Sequence, residues 1–320
     1  MNDRNLSDTK ESTMSPNEAF NALGNEVRIR ILQILGESDE PIGFTELRNR
    51  VGHDDPGNFN YHLGKLEGHF VRETEDGYVI RKAGRRVIEA VLSGAVTEDV
   101  VMEPTRLDIP CPFCNADIEV RYLEERLLIR CTECVGSFGD IEPTTPAIQS
   151  LPHGTLTLSH LPSAGIKDRT PRELLDTAQA WTYYQFVIVA NDICPRCSGP
   201  VEHSVDICSN HETDKPICDQ CQTRFAIMQV DRCVNCGHER RGGFSHHLLG
   251  NPRVRTFFET RGVDPIAPNY ENLSPIYDYE EEVLSTDPFE ARFTFTVDGD
   301  DLVVTVNNDL NIVDITVTEE

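Results

Sequence analysis

Cys194-Pro195-Arg196-Cys197, Cys208-Ser209-Asn210-His211, Cys218-Asp219-Gln220-Cys221 and Cys233-Val234-Asn235-Cys236 follow one another within 43 residues. A Cys-x-x-Cys pair forms a tight knuckle that presents two thiolates to one point, and zinc takes four such soft ligands at tetrahedral angles. Three pairs and the lone Cys208 give seven ligands, which do not divide into fours. His211, three residues after Cys208, makes an eighth. His203 and His238 are the other histidines able to close the incomplete site. Residues 198–207, with Val201, Val205 and Ile207, and residues 222–232, with Phe225, Ile227 and Val230, read as two strands of similar length around a turn at Pro216. Pairing them antiparallel brings Cys194 and Cys197 to Cys233 and Cys236 at one end. It brings Cys208 and His211 to Cys218 and Cys221 at the other. Seven or more strand residues at about 3.3 Å each hold the two sites over about 20 Å apart.

Upstream, Cys111-x-x-Cys114 and Cys131-x-x-Cys134 are separated by 16 residues. Between them Ile118, Val120 and Tyr122 run up, Glu124-Glu125 turns, and Leu127 to Arg130 runs back. That hairpin returns the second knuckle to the first, as in a zinc ribbon. Eleven cysteines and one histidine thus supply twelve ligands and imply three zinc ions per chain. The sites have no open position, so the metal is expected to be structural. Disulfides are the other use of paired cysteines. Residues 1–15 are polar with no apolar signal region, so a reducing, cytoplasmic location is expected and disulfides are not. No run of 18 apolar residues exists, and no membrane span is expected.

The first hundred residues contain no cysteine. After a tail over 1–15, Ser15 as cap, Pro16 and Glu18 start a helix whose apolar stripe runs from Phe20 to Leu35 and ends at Gly36. A second helix follows Thr45, with Leu47 and Val51 inward. A third runs from Pro56 to Gly68 with Phe59, Leu63 and Leu66 on one face, capped by Asp54 or Asp55. Phe70-Val71 and Tyr78 to Ile80 flank Glu75-Asp76-Gly77 as a hairpin, and a last helix carries Val87, Ile88, Val91 and Leu92. The order over 16–92 is that of a winged helix-turn-helix.

The run Phe20-Asn21-Ala22-Leu23-Gly24-Asn25-Glu26-Val27-Arg28-Ile29-Arg30-Ile31-Leu32 resembles the opening helix of ArsR-type regulators. Phe59-Asn60-Tyr61-His62-Leu63-Gly64-Lys65-Leu66-Glu67 resembles the recognition helix of that family. The resemblance covers a quarter of the chain. It implies binding of double-stranded DNA and a homodimer built on the first and last helices. It does not bring the metal sensing of the founding members, whose cysteines lie in this domain. In the groove the helix would present Asn58, Asn60, Tyr61, His62 and Lys65, asparagine matching adenine edges and Lys65 a phosphate or guanine. Gly57 would let the backbone approach a phosphate. Arg72, Arg81 and Lys82 would flank it from the hairpin. Residues 56–86 carry six basic and four acidic side chains, a positive stretch in a chain of net charge −25.

The predicted class is α+β: the winged helix, zinc-stapled β modules and a C-terminal antiparallel meander. Its boundaries are a connector over 93–106, a ribbon over 107–141, an irregular segment and helix over 142–192, a double knuckle over 193–244, and a helix and meander over 245–320. The helix of the fourth segment starts at Thr170, Pro171 and Glu173. In the last, Asn251 caps a helix to Gly262, and three strands turn at Asp298-Gly299 and Asn307-Asn308-Asp309.

The composition, 54 acidic against 29 basic residues of which five are lysines, is similar to that of proteins from salt-loving archaea. At molar salt the Debye length is about 3 Å, so a carboxylate surface repels itself little. A layout of winged helix and cysteine knuckles also resembles haloarchaeal regulators. The expected function is sequence-specific transcriptional regulation, with the zinc modules as scaffold or protein-binding surface. The alternative is an adaptor of the transcription machinery resembling archaeal transcription factor E alpha. No phosphate loop, nucleophile elbow or His-Glu-x-x-His occurs, His246-His247 reads as surface, and an enzyme is not expected.

Overall fold

A computed structural model describes residues 14–94, 97, 100–139, 151–265 and 270–319. Most of the expected tail, residues 140–141 of the expected ribbon and residues 142–150 of the expected irregular segment lie outside the described residues. The chain divides into two compact units, Met1–Glu98 and Asp99–Glu320.

In the first unit, α1 (Pro16–Leu23) begins on the expected capping box: Glu18 N–H donates to Ser15 Oγ at 3.3 Å, and Ser15 N–H to the Glu18 carboxylate at 3.0 Å. The sequence stripe predicts one helix to Gly36, but the structure has two. Asn25 is extended, and its side chain accepts the N–H of Val27 at 3.0 Å, capping a new helix α2 (Glu26–Gly36). An N-cap side chain satisfies helix-start donors that a continuous helix would not leave free, so Gly24-Asn25 is a break. Helices α3 (Phe44–Val51) and α4 (Pro56–Leu66) follow, then the hairpin β1 (Val71–Thr74) and β2 (Gly77–Ile80), then α5 (Lys82–Leu92). Asp55 caps α4 by accepting from Gly57 and Asn58 at 2.8 and 3.1 Å. The hairpin loop is Glu75-Asp76, with Gly77 inside the strand. At Gly77, φ is +136°, and a Cβ would meet the Ile42 backbone at 2.6 Å. Glycine there lets Ile42 bridge to Tyr78 across the hairpin edge. Ile31, Leu32, Leu35, Leu47, Phe59, Leu63, Leu66 and Val71 form the core, each full burial contributing about 1.5–3 kcal/mol.

Among the described residues, the second unit has three antiparallel sheets. One runs in order through β3 (Met102–Pro110), β4 (Asp117–Leu123), β5 (Arg126–Cys131) and β6 (Thr155–His160). Glu124 and Glu125, at φ +48° and +55°, make its central two-residue turn, as expected. The ribbon hairpin is therefore flanked by two further strands. Residues 102–106, read in the sequence as connector, are the first half of β3, and 155–160, read as irregular, form β6. Both are edge strands whose partner lies elsewhere in the chain, so local pattern alone does not reveal them. The helix α6 (Pro171–Val189) follows with its Thr170–Glu173 capping box. The second sheet is β7 (Val201–Ile207), β8 (Ile227–Cys233) and β9 (Glu239–Gly243), with Val201 opposite Cys233 and Ile207 opposite Ile227. Next come α7 (Ser245–Leu248), α8 (Pro252–Glu259), capped by Asn251, and α9 (Ser274–Tyr277). The meander is β10 (Glu280–Thr286), β11 (Phe289–Val297), β12 (Asp300–Val306) and β13 (Ile312–Thr318), one strand more than expected.

One continuous core joins these parts. It includes Val120 and Tyr122 from β4, Leu175 and Ala178 from α6, Ile227 from β8, and Phe293 and Phe295 from β11. Phe244 stacks on Phe293 at 4.7 Å between ring centres, and Phe225 on Tyr279 at 4.8 Å. The segments that read as separate small modules thus share their apolar interior. Among the described residues, no helix is long and apolar enough to cross a membrane.

Candidate metal centres and nucleic-acid interface

All twelve sequence-predicted ligands come together in three groups, and in each group the four ligand atoms lie within 4.8 Å of one another. In the first, β3 delivers Cys111 and β5 delivers Cys131; the Cys111–Cys134 and Cys114–Cys131 sulfurs are 3.7 and 3.4 Å apart. In the second, Cys194–Cys236 and Cys197–Cys233 are 3.7 and 3.5 Å apart. A tetrahedron with metal–sulfur bonds of about 2.3 Å has edges of about 3.8 Å, whereas a disulfide holds its sulfurs at about 2.05 Å. All eleven cysteines are free. Backbone N–H groups point at the sulfurs: Glu133 and Cys134 at Cys131 (3.3 Å each), Arg196 at Cys194 (3.4 Å), Gly199 at Cys197 (3.4 Å). The Asn235 side-chain amide also donates to Cys197, and it and the Gly199 N–H hold that thiol down to about 6. Such donors stabilise thiolate over thiol, which is what a cationic metal requires.

The third group brings His211 together with Cys208, Cys218 and Cys221. His211 Nδ1 lies 3.4 Å from Cys221 Sγ, while its Nε2 is 3.2 Å from the Arg224 carbonyl. A proton on Nε2 donated to that carbonyl leaves the Nδ1 lone pair aimed into the group, the usual arrangement for a metal-bound imidazole. Neither other histidine joins a group. His203 has both ring nitrogens engaged by carboxylates, Asp231 at 2.7 Å and Asp192 at 3.0 Å. Its pKa is raised, first by the Asp231 bond. The antiparallel β7–β8 pair separates the two groups as the strand arithmetic predicts. Each group can hold one ion in closed tetrahedral coordination with no position left for a substrate.

In the first unit, α4 exposes Gly57, Asn58, Asn60, Tyr61 and Lys65 to solvent. The Lys65 ammonium lies 5.5 Å from the Tyr61 ring centre. His62 is placed differently: it is half-buried, with Nδ1 enclosed and without a partner. Burial lowers its pKa, with the charges of Arg28 and His53 adding to the effect. It belongs to the packing behind the helix more than to the presented face. Arg72 and Lys82 are exposed on the hairpin side. The Arg81 guanidinium donates to the Gly68 carbonyl and braces the turn between α4 and β1.

Residues 108–312 match the family described as domain of unknown function DUF7351. The chain belongs to the DUF7351 family. The DUF7351 match contains all three ligand groups and most of the shared core. A second match, to the domain of unknown function DUF7347, covers residues 16–91 and so all elements from α1 to β2 and nearly all of α5. Comparison with curated proteins and with solved structures yields no match.

Sequence reading missed a buried polar network within the DUF7351 part. Gln229 Nε2 donates to Asp231 at 2.6 Å and lies 3.0 Å from His247 Nδ1, and His247 Nε2 lies 3.3 Å from the Leu310 carbonyl. His246 stacks on Phe186 at 4.3 Å, and burial lowers its pKa to about 3. His246 and His247, read as surface, are instead packed between α6, β8 and the meander. The adjacent Phe244 and Leu248 are fully buried, and α7 carries both histidines in with them.

Proposed function

We propose that the chain is a sequence-specific DNA-binding regulator whose N-terminal unit is a winged helix-turn-helix and whose C-terminal unit is a scaffold held by three structural zinc ions. The observation that carries the DNA reading is the polar face of α4. Asn58, Asn60, Tyr61 and Lys65 stand in solvent on the outer side of a helix whose other side is locked by Phe59, Leu63 and Leu66. That face suits major-groove edges, and the capped N-terminus suits a phosphate. Phe20 on α1 and Leu92 on α5 are 75 % and 61 % exposed, apolar side chains that a homodimer through the first and last helices would cover. Zinc is favoured over other metals by all-thiolate and thiolate–imidazole ligand sets of tetrahedral size.

The test is selection of duplexes from a random pool by the purified protein at high salt. A selected sequence should then lose at least about tenfold in affinity on Asn58→Ala with Asn60→Ala, since each good base contact is worth about 1–3 kcal/mol. Metal content and melting should be unchanged. Absence of any enriched sequence, with co-purification of RNA polymerase, would favour the adaptor reading instead.

A further inference from the structure

The helix α6 turns one face into the core of the second unit, with Leu174, Leu175, Ala178, Tyr183 and Val189 buried. On the other side Trp181, Tyr184 and Ile188 are 46 %, 53 % and 39 % exposed among the described residues. Thr177 and Asn191 continue their spacing at either end. Steps of four, three, four and three residues put all five on one stripe about 21 Å long, the seam geometry of paired helices. The helix ends in a left-handed turn at Asp192, where φ is +61°. The Asp192 N–H donates to the Val189 carbonyl at 2.9 Å and the Ile193 N–H to the Ile188 carbonyl at 3.4 Å. A turn of this kind brings the two isoleucine positions side by side, and Ile193 is itself 44 % exposed.

Single exposed apolar side chains are ordinary, but a contiguous stripe with two aromatics marks a contact surface. Charged residues make up 26 % of the chain and its net charge is −25, yet no charged side chain occurs from Thr177 to Asn191. On such a face two copies of this acidic chain can meet without setting like charges against each other. The stripe is also its own complement. Read in either direction it runs polar, apolar, tyrosine, apolar, polar: Thr177, Trp181, Tyr184, Ile188, Asn191. Laid antiparallel on a copy of itself about a two-fold axis at Tyr184, it sets Trp181 on the partner's Ile188 and Tyr184 on the partner's Tyr184. Thr177 then lies beside the partner's Asn191. A two-fold contact requires that match of a surface with itself. A standard interface buries about 800 Å² per partner, somewhat over half of it apolar. With large side chains offering about 150–250 Å² each, the open parts of Trp181, Tyr184, Ile188 and Ile193 amount to roughly 300–400 Å², close to that apolar share.

We infer that this face of α6 is the contact for a second copy of the chain, an antiparallel helix pair separate from the proposed pairing through α1 and α5. Every residue of the contact belongs to the second unit, so it does not rest on the DNA reading. Elsewhere the two copies repel through their carboxylates. The pairing should therefore tighten with salt, which shortens the screening length to about 3 Å at molar concentration.

Trp181 is the one tryptophan in the sequence, so its fluorescence reads this face and no other. The experiment follows tryptophan emission and acrylamide quenching of the metal-loaded full chain over a dilution series at molar salt, alongside sedimentation. The dimer should emit at shorter wavelength and quench weakly, and the monomer the reverse. Ile188→Glu enters a two-fold contact twice, so it should expose Trp181 at concentrations where the parent is shielded and raise the half-point at least about tenfold. Metal content and circular dichroism should be unchanged. If that variant loses metal, Tyr184→Ser, on a side chain over half exposed, should give the same shift. Phe20→Glu with Leu92→Glu, which breaks the proposed pairing through the first unit, should leave Trp181 shielded at high concentration. Loss of shielding there assigns it to the first unit and overturns the α6 contact. Three other results overturn it: Trp181 open at every concentration, shielding indifferent to Ile188→Glu and Tyr184→Ser, or shielding in a sedimenting monomer, where the chain covers the stripe itself.

Discussion

The unit from Met14 to Gly94 contains no cysteine and has an apolar core: three helices present leucines, isoleucines and a phenylalanine inward, and a hairpin closes the side. The unit from Val100 onward has a larger continuous core, yet two of its three sheets also end in cysteine knuckles. The difference follows from where backbone pairing is weakest. The meander, without ligands, alternates strictly in β11, where Phe289, Ala291, Phe293, Phe295 and Val297 all face inward. The β7 strand buries none of its residues fully, with an exposed or half-exposed side chain at every position. A strand that contributes so little burial needs another source of stability, and a metal held by the ligand group at each end of the β7–β8 pair would provide it.

This contrast can be broken most directly by removing metal. Structural zinc is worth about 10–16 kcal/mol per site in small domains, so a strong chelator should abolish the cooperative melting of the second unit while the first still melts in its own transition. Simultaneous loss of both, or of neither, would refute the division. The converse is Phe59→Ala, which empties a fully buried position in the first unit. It should cost about 3–5 kcal/mol there and leave metal content per chain unchanged, as read by circular dichroism and elemental analysis.

A finer contrast concerns pH. One oxygen of Glu281 accepts the N–H groups of Ala226 and Ile227, while the other is enclosed without a partner, and burial raises the carboxyl to about 7. The folded value lies above the unfolded one near 4.5. The folded chain therefore retains the proton through that window, and stability falls as pH rises from about 4.5 to 7 and stays lower above it. Glu281→Gln should remove that decline, stabilising the second unit by about 2 kcal/mol at pH 8 and not at pH 4. The first unit should not respond. The smallest effect is at the α4 cap: Asp55→Ala should lower the melting temperature of the first unit slightly, through loss of the acceptor for the Gly57 and Asn58 N–H groups. Hydrogen bonds from Asn58 and Gly57 hold Asp55 below the usual carboxylate range, so part of that contribution should fade as pH drops through the range where Asp55 protonates. A flat pH response of this variant relative to the parent would contradict the cap.

What could be read in advance follows the reach of the interactions. Ligand spacing is local, and Cys-x-x-Cys and Cys-x-x-His pairs at strand-length intervals have few uses other than holding metal, so the twelve residues and their nested pairing were legible. Caps are local too: Ser15 and Thr170 both form the boxes their sequences imply. The break at Asn25 was not legible, because apolar residues kept their helical spacing across it. β3, β6 and β10 escaped notice because each is an edge strand defined by a partner, with Pro104, Pro110 and three successive glutamates diluting any alternation. His246 and His247 draw on residues far apart in sequence, which no local pattern joins.

The count of ligands is the point on which the architecture turns, since His211 alone converts eleven cysteines into three complete sites. Elemental analysis of the purified full chain should give three zinc ions per molecule, falling to two in His211→Ala with the first unit's melting intact. Two ions in the parent chain, or three retained without His211, would contradict it.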